Sequence, residues 1–99
     1  MVKRFMLYMT EDNAGQKPCV VVSPDELNKH LPYVCVAPIT SQLRPLPFRV
    51  TVLLGKQEGQ IMLDQIQTLP KSQLIRKVGI LPEACQEAVC SLLQKLFAL

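Results

Sequence analysis

Between Lys17 and Thr40 the chain reads KPCVVVSPDELNKHLPYVCVAPIT, and no other stretch constrains the fold as tightly. Cys19 to Val22 is β-branched and almost continuously apolar, the pattern of a strand buried on both faces. It ends at Ser23. Ser23-Pro24-Asp25-Glu26 then supplies a capping hydroxyl, a proline for the first helical position, acids for the first turn and a glutamate placed to complete a capping box. This predicts a short helix through about Lys29, stopped by Pro32. Tyr33 to Ala37 is the next strand, closed by Pro38. Lys17 stands where the first strand begins and Thr40 just past the end of the second, so pairing of the strands would bring two polar groups to one side.

The remaining segments read mostly as strands. Val2 to Met9 is a compact apolar run, and the polar Thr10 to Gln16, with Asn13 and Gly15, is a tight connection. A polar, proline-rich loop covers Thr40 to Pro47. Phe48, Val50, Val52 and Leu54 then alternate with Arg49, Thr51 and Leu53, the period of a strand with one buried face. Lys56 to Gly59 reads as a turn and Gln60 to Thr68 as an antiparallel partner. Pro70 to Ile75 is a helical turn and Arg76 to Ile80 a further short strand. From Pro82 to Leu99, residues Ala84, Cys85, Ala88, Val89, Leu92, Leu93, Leu96 and Phe97 recur at three- and four-residue spacing, predicting a helix that covers a curled sheet. The class is α+β, mainly β: a small, partly open SH3-like barrel with a C-terminal helix.

Ninety-nine residues fit one domain, 1–99, with a single core. Aromatic residues are only 5% of the chain and Trp is absent, so that core is built from Val, Leu, Ile and Met. A net charge of +3 permits contact with a polyanion without demanding it. No apolar run approaches the roughly 20 residues needed to span a bilayer, and MVKRFMLYMT lacks the features of a signal peptide, so a cytoplasmic protein is expected. Cys19, Cys35, Cys85 and Cys90 form no CxxC and sit among apolar neighbours, as reduced core thiols do. His30, the sole histidine, reads as an exposed turn residue.

The segments KPCVVVSPDELN, CVAPITS, PFRVTV and GQIMLDQIQTLPKSQLIRKVGIL, in that order, resemble the MazF/PemK family of toxin endoribonucleases from Ala14 onward. The resemblance implies a small PemK- or CcdB-like barrel with a C-terminal helix, a homodimer, a cognate antitoxin lying over the active groove, and single-stranded RNA as substrate. It implies cleavage with neither metal nor cofactor, in which the 2′-hydroxyl attacks the adjacent phosphorus and leaves a cyclic phosphate and a free 5′-hydroxyl. Such a reaction needs a base for the 2′ proton, an acid for the 5′ oxygen and donors for the phosphoryl oxygens.

The family places an Arg immediately before the Pro that opens the second strand, and a Thr or Ser at the end of the third. Thr40 matches the latter, while Lys17 stands in place of the Arg. The resemblance thus implies Thr40 as phosphate-positioning group, Lys17 as cation and acid or base, and Asp12 or Glu11 as the acidic residue of the first loop. Arg44 and Arg49 are candidate phosphate contacts, and Asp64 and Gln65 candidate groove residues. Three further departures stand out: a first loop shorter than the family's, Gln67 where a basic residue is common, and Gln73 where Arg is common. They leave open a catalytically weak member that binds antitoxin or another protein, and, further off, a CcdB-like topoisomerase inhibitor.

Overall fold

The computed structural model describes residues 1–98. Seven strands form the sheet: β1 (Met6–Asp12), β2 (Gly15–Val21), β3 (Tyr33–Thr40), β4 (Arg49–Leu54), β5 (Gln57–Met62), β6 (Gln67–Pro70) and β7 (Leu74–Ile80). Two helices accompany them, α1 (Asp25–His30) and α2 (Glu83–Leu96). The strand order is β4-β5-β3-β2-β1-β7, with β6 also on β3, and every pairing is antiparallel.

The CVVV run is apolar throughout because β2 is covered twice. Val20 and Val22 join Leu7, Ile39, Val50, Val52, Ile61 and Leu63 in the main core, sealed by Val89, Leu92 and Leu93 of α2. Cys19 and Val21 point the other way, into a smaller cluster with Val34 and Val36. Alternate side chains of one strand thereby serve both clusters.

Several boundaries depart from the expectations, each for a local reason. The first strand begins at Met6 rather than Val2 because Phe5 adopts φ +71° and donates its N–H to the Val21 carbonyl at 2.7 Å, while the Arg4 N–H binds the Asp25 carboxylate at 2.6 Å. The connection predicted over Thr10 to Gln16 contracts to Asn13-Ala14: Asp12 pairs with Gly15, whose φ of +106° suits a glycine. Phe48 precedes β4 at φ +61° instead of starting it. The predicted helix at the chain's end closes at Leu96, and Leu99 lies outside the described residues.

Ser23 does not cap α1. Pro24 occupies the cap position with no side-chain hydrogen bond. The Ser23 hydroxyl is instead buried, donating to the Asn28 side-chain carbonyl and accepting the Cys35 N–H at 3.1 Å, while the Asn28 amide donates to the Ser23 carbonyl at 2.8 Å. A hydroxyl expected to start the helix therefore fastens it to β3.

β3 does not close at Pro38 but continues to Thr40. On one edge it meets β2 only from Val36 to Pro38; on the other it pairs with β6 over Tyr33–Val36 and with β5 at Ile39 and Thr40. Pro38 falls at the end of the first ladder and between the other two, so its missing N–H interrupts none of them. Changing partner along β3 also explains why Gln60 to Thr68 is not one strand. The chain leaves β5 at Met62, makes a 3-10 turn over Leu63–Gln65 that buries Leu63, and returns as β6. The Leu63 N–H, donated to the Phe48 carbonyl at 3.1 Å, fixes that step.

Candidate active site

The last pair between β2 and β3 is Cys19 with Pro38. Carried two residues further, that register sets Lys17 opposite Thr40. The strands part before reaching it, β3 turning to β5 while β2 stays with β1. The gap opens into a groove of about 500 Å³. Thr10, Asp12, Lys17 and Pro18 line it from the first hairpin, Thr40 and Gly59 from the other side, and Gln65 and Gln67 from the segment entering β6. A smaller hollow of about 240 Å³ shares Thr40, Met62 and Gln65 with the groove and adds Gln42, Arg44 and Arg49.

Thr40 accepts the Gln42 N–H on its hydroxyl oxygen at 3.1 Å. The hydroxyl proton is not used in that bond, so the group can still donate into the groove. Lys17 is exposed; its main-chain carbonyl accepts the Thr10 hydroxyl at 3.2 Å, tying the two hairpin strands together beneath it. Asp12 also lines the groove, with one carboxylate oxygen accepting the Ala14 N–H at 2.7 Å. Glu11, between two groove-lining residues of β1, lines neither cavity, as strand alternation requires.

Arg49 is committed elsewhere. Its Nε and Nη2 donate to the two Asp64 carboxylate oxygens at 3.2 and 3.3 Å, a bidentate pair. That bond to the guanidinium holds the Asp64 carboxyl below its ordinary value. Asp64 lines neither cavity, whereas its neighbour Gln65 lines both. Arg44 lines the smaller hollow and takes part in none of the described residues' ion pairs. His30 ends α1, exposed and outside both cavities.

Among the groove residues that escaped the sequence reading are Thr10, Gln57, Glu58 and Gly59. Glu58 matters electrostatically, because with Asp12 it sets two carboxylates against the single cation Lys17. Gly59, expected in a turn, lies in β5 beside β3; a Cβ there would meet the Ile39 side chain at 3.0 Å and the Thr40 carbonyl at 3.2 Å. The glycine lets the two backbones approach where Thr40 is held. Cys19 lines the groove's base, and burial pushes its thiol up to about 11, against a lesser lowering by a backbone bond from Tyr8, so it stays protonated. All four cysteines are free; the other three are half-buried, with Cys35 and Cys85 packed against the main core. Among the described residues no helix is long and apolar enough to cross a membrane.

Residues 7–97 match the family of PemK-like, MazF-like toxins of type II toxin–antitoxin systems. The chain belongs to that family. An endoribonuclease MazF of Staphylococcus epidermidis is 29% identical over 97 aligned residues, covering 85% of this chain and 81% of its own. An endoribonuclease from a mycobacterial species, solved with its cognate antitoxin, superposes with a TM-score of 0.90 at 25% identity, over 100% of this chain and 97% of that one. A MazE–MazF structure from Deinococcus radiodurans shares the fold, with a TM-score of 0.86 at 24% identity over 99% and 96% of the two chains. The half-open sheet with a C-terminal helix is thus the MazF architecture, as the sequence resemblance implied.

Proposed function

We propose that this MazF-family protein is the toxin of a type II toxin–antitoxin pair and an endoribonuclease acting on single-stranded RNA. The observation carrying the reading is the parting of β2 and β3, which leaves Lys17 and Thr40 in register across a groove. The endoribonuclease relatives support the reaction class.

In this reading RNA lies along the groove with one phosphate between Lys17 and Thr40. The Thr40 hydroxyl donates its proton to a phosphoryl oxygen while accepting the Gln42 N–H. Lys17 adds positive charge where the transition state gathers negative charge. The 2′-oxygen loses its proton to a base and bonds to phosphorus. The phosphorus–5′-oxygen bond breaks, and an acid protonates the departing oxygen, giving a 2′,3′-cyclic phosphate and a 5′-hydroxyl. Lys17 is the candidate for one proton transfer, and Asp12, oriented by the Ala14 N–H, for aligning it or taking the other. No step calls for a metal. Gln65, reaching both cavities, contacts the nucleotides beside the cleaved bond. The toxin acts in the cytoplasm as a homodimer, one domain per chain, and a cognate antitoxin covers the groove.

One observation favours a rival: the groove's two carboxylates outnumber its one cation, which suits a weak nuclease retained to bind antitoxin. The two readings separate in one assay. Purified protein is incubated with long single-stranded RNA in EDTA and the fragment ends are analysed. Fragments with cyclic-phosphate ends that vanish with Thr40→Ala support the nuclease. Intact RNA at high concentrations of folded protein overturns it in favour of the binding protein.

A further inference from the structure

Arg44 sits in an exposed loop, yet its main chain is held at both ends by one side chain. The Arg44 N–H donates to Gln60 Oε1 at 3.1 Å, and Gln60 Nε2 donates to the Arg44 carbonyl at 2.9 Å. The same carbonyl accepts the Leu46 N–H at 2.9 Å. Pro45 follows, which restricts the backbone of Arg44 further. An amide side chain completing both hydrogen bonds of a loop residue acts as a one-residue extension of the sheet.

Gln60 is also the β5 residue paired directly with Thr40. Thr40 in turn accepts from Gln42, in the same loop. The loop after β3 is therefore folded back and fastened twice, once to the residue beside the scissile phosphate and once to that residue's cross-strand partner. Arg44 and Arg49 are the two cations of the small hollow next to Thr40. Arg49 turns the Nε–Nη2 edge of its guanidinium to Asp64 and its side chain is only 7% exposed, which leaves Arg44 the freer cation to meet an anion there.

We propose that Gln60 is a positioning residue, pinning the Arg44 main chain so that the Arg44 guanidinium binds the RNA phosphate next to the one held at Thr40. The arrangement supplies, from outside the groove, the positive charge that Lys17 alone provides against Asp12 and Glu58. Order matters to the binding because a guanidinium on a free loop would lose conformational entropy each time it engaged a phosphate. The proposal rests on the nuclease reading only in taking RNA as the ligand.

The test measures binding of a mixed-sequence 2′-O-methyl RNA, which has the phosphates but no 2′-hydroxyl to attack, by fluorescence anisotropy across a salt series. Cleavage of unmodified RNA is followed in parallel. Arg44→Ala should weaken binding about tenfold, as loss of a charge-assisted contact does. It should also flatten the log Kd against log salt slope by about 0.7, one phosphate contact on a single strand. Gln60→Met keeps the length of the side chain but neither hydrogen bond; it should raise Kd and KM several-fold with kcat little changed. Combined with Arg44→Ala, Gln60→Met should add nothing, because it acts through that guanidinium.

A Gln60→Met penalty that persists in the Arg44→Ala background shows Gln60 supporting the fold or Thr40 and overturns the proposal, as does wild-type Kd in either single variant. Wild-type cleavage with that result leaves the nuclease reading standing alone. The expected binding pattern without cleavage removes the nuclease and keeps the positioning role. Absence of binding overturns the proposal, and absence of cleavage as well removes the nuclease reading with it.

Discussion

Lys17 and Thr40 occupy the positions that would pair two residues beyond the last β2–β3 pair, but an open groove lies between them. In the proposed reading a phosphate enters between this cation and this hydroxyl, while the two strands, still joined at Cys19 and Pro38, hold the spacing. Thr40→Ala should lower kcat by about a hundredfold, the scale of losing one donor to a transition-state oxyanion. Thr40→Ser, retaining the hydroxyl, should recover most of it. Lys17→Arg is expected to keep or raise activity and Lys17→Met to abolish it, measured as initial rates on one RNA.

The pair of Arg49 and Asp64 sets a second expectation. Because Arg49 lowers the Asp64 carboxyl in the folded protein, the pair stabilises the fold above the unfolded carboxyl's ordinary range. That contribution disappears as pH falls through the lower, folded value. With the Asp64 side chain 36% exposed, solvent limits it to roughly 0.5 kcal/mol. Asp64→Asn should reduce urea stability at pH 7 by about that amount, and by less as the pH falls below the ordinary carboxylate range. It should also release Arg49, steepening the salt dependence of RNA binding.

Gly59 tests the packing behind Thr40. Gly59→Ala puts a methyl group 3.0 Å from the Ile39 side chain and 3.2 Å from the Thr40 carbonyl. A cost of about 1–3 kcal/mol follows from overpacking, read as a lower melting temperature. Displacement of the Thr40 backbone should reduce kcat more than the loss of folded protein explains, which activity per folded molecule measures.

Cys19 is expected to resist alkylation. Its thiol, raised from 9.0 to about 11 by burial, is protonated at pH 8.5, so iodoacetamide should spare it in the folded protein and modify it in urea. Peptide mass spectrometry reads the difference from Cys35, Cys85 and Cys90. Since the unfolded thiol ionises first, stability should fall as pH rises from about 9 towards 11.

The buried bonds of Ser23 predict a larger effect than a helix cap would. Ser23→Ala leaves the Cys35 N–H and the Asn28 carbonyl short of a partner. Unsatisfied buried groups of this kind cost about 1–3 kcal/mol each. Chemical denaturation of Ser23→Ala should show a loss within or above that range; a loss of a few tenths would point to an ordinary cap.

How far the sequence revealed these features depends on how local each one is. β2, α1 and β3 were legible because a β-branched run, a helix-opening tetrapeptide and two prolines act on their own neighbours. Ser23 was misread since the same hydroxyl serves a cap or a distant amide, and only folding brings Cys35 to it. The break after Met62 was invisible because Gln60 to Thr68 carries strand character throughout; the step between β5 and β6 is imposed by β3. Site residues followed the same rule. The register of neighbouring strands brought Lys17 near Thr40, but the engagement of Arg49 by Asp64 and of Arg44 by Gln60 joins residues 15 and 16 positions apart, with no periodicity to announce it.

β3 bonds to three other strands within eight residues. The two walls of the groove, the β1–β2 hairpin and the β5–β6 segment, have no direct strand pairing, and β3 is the strand that pairs with both. A growing chain therefore has no complete groove until the residues of β6 have emerged and closed on β3. A fragment ending before Gln67 would carry Lys17 and Thr40 but lack Gln67 and Leu69 of the groove lining and the strand that pairs with Tyr33–Val36.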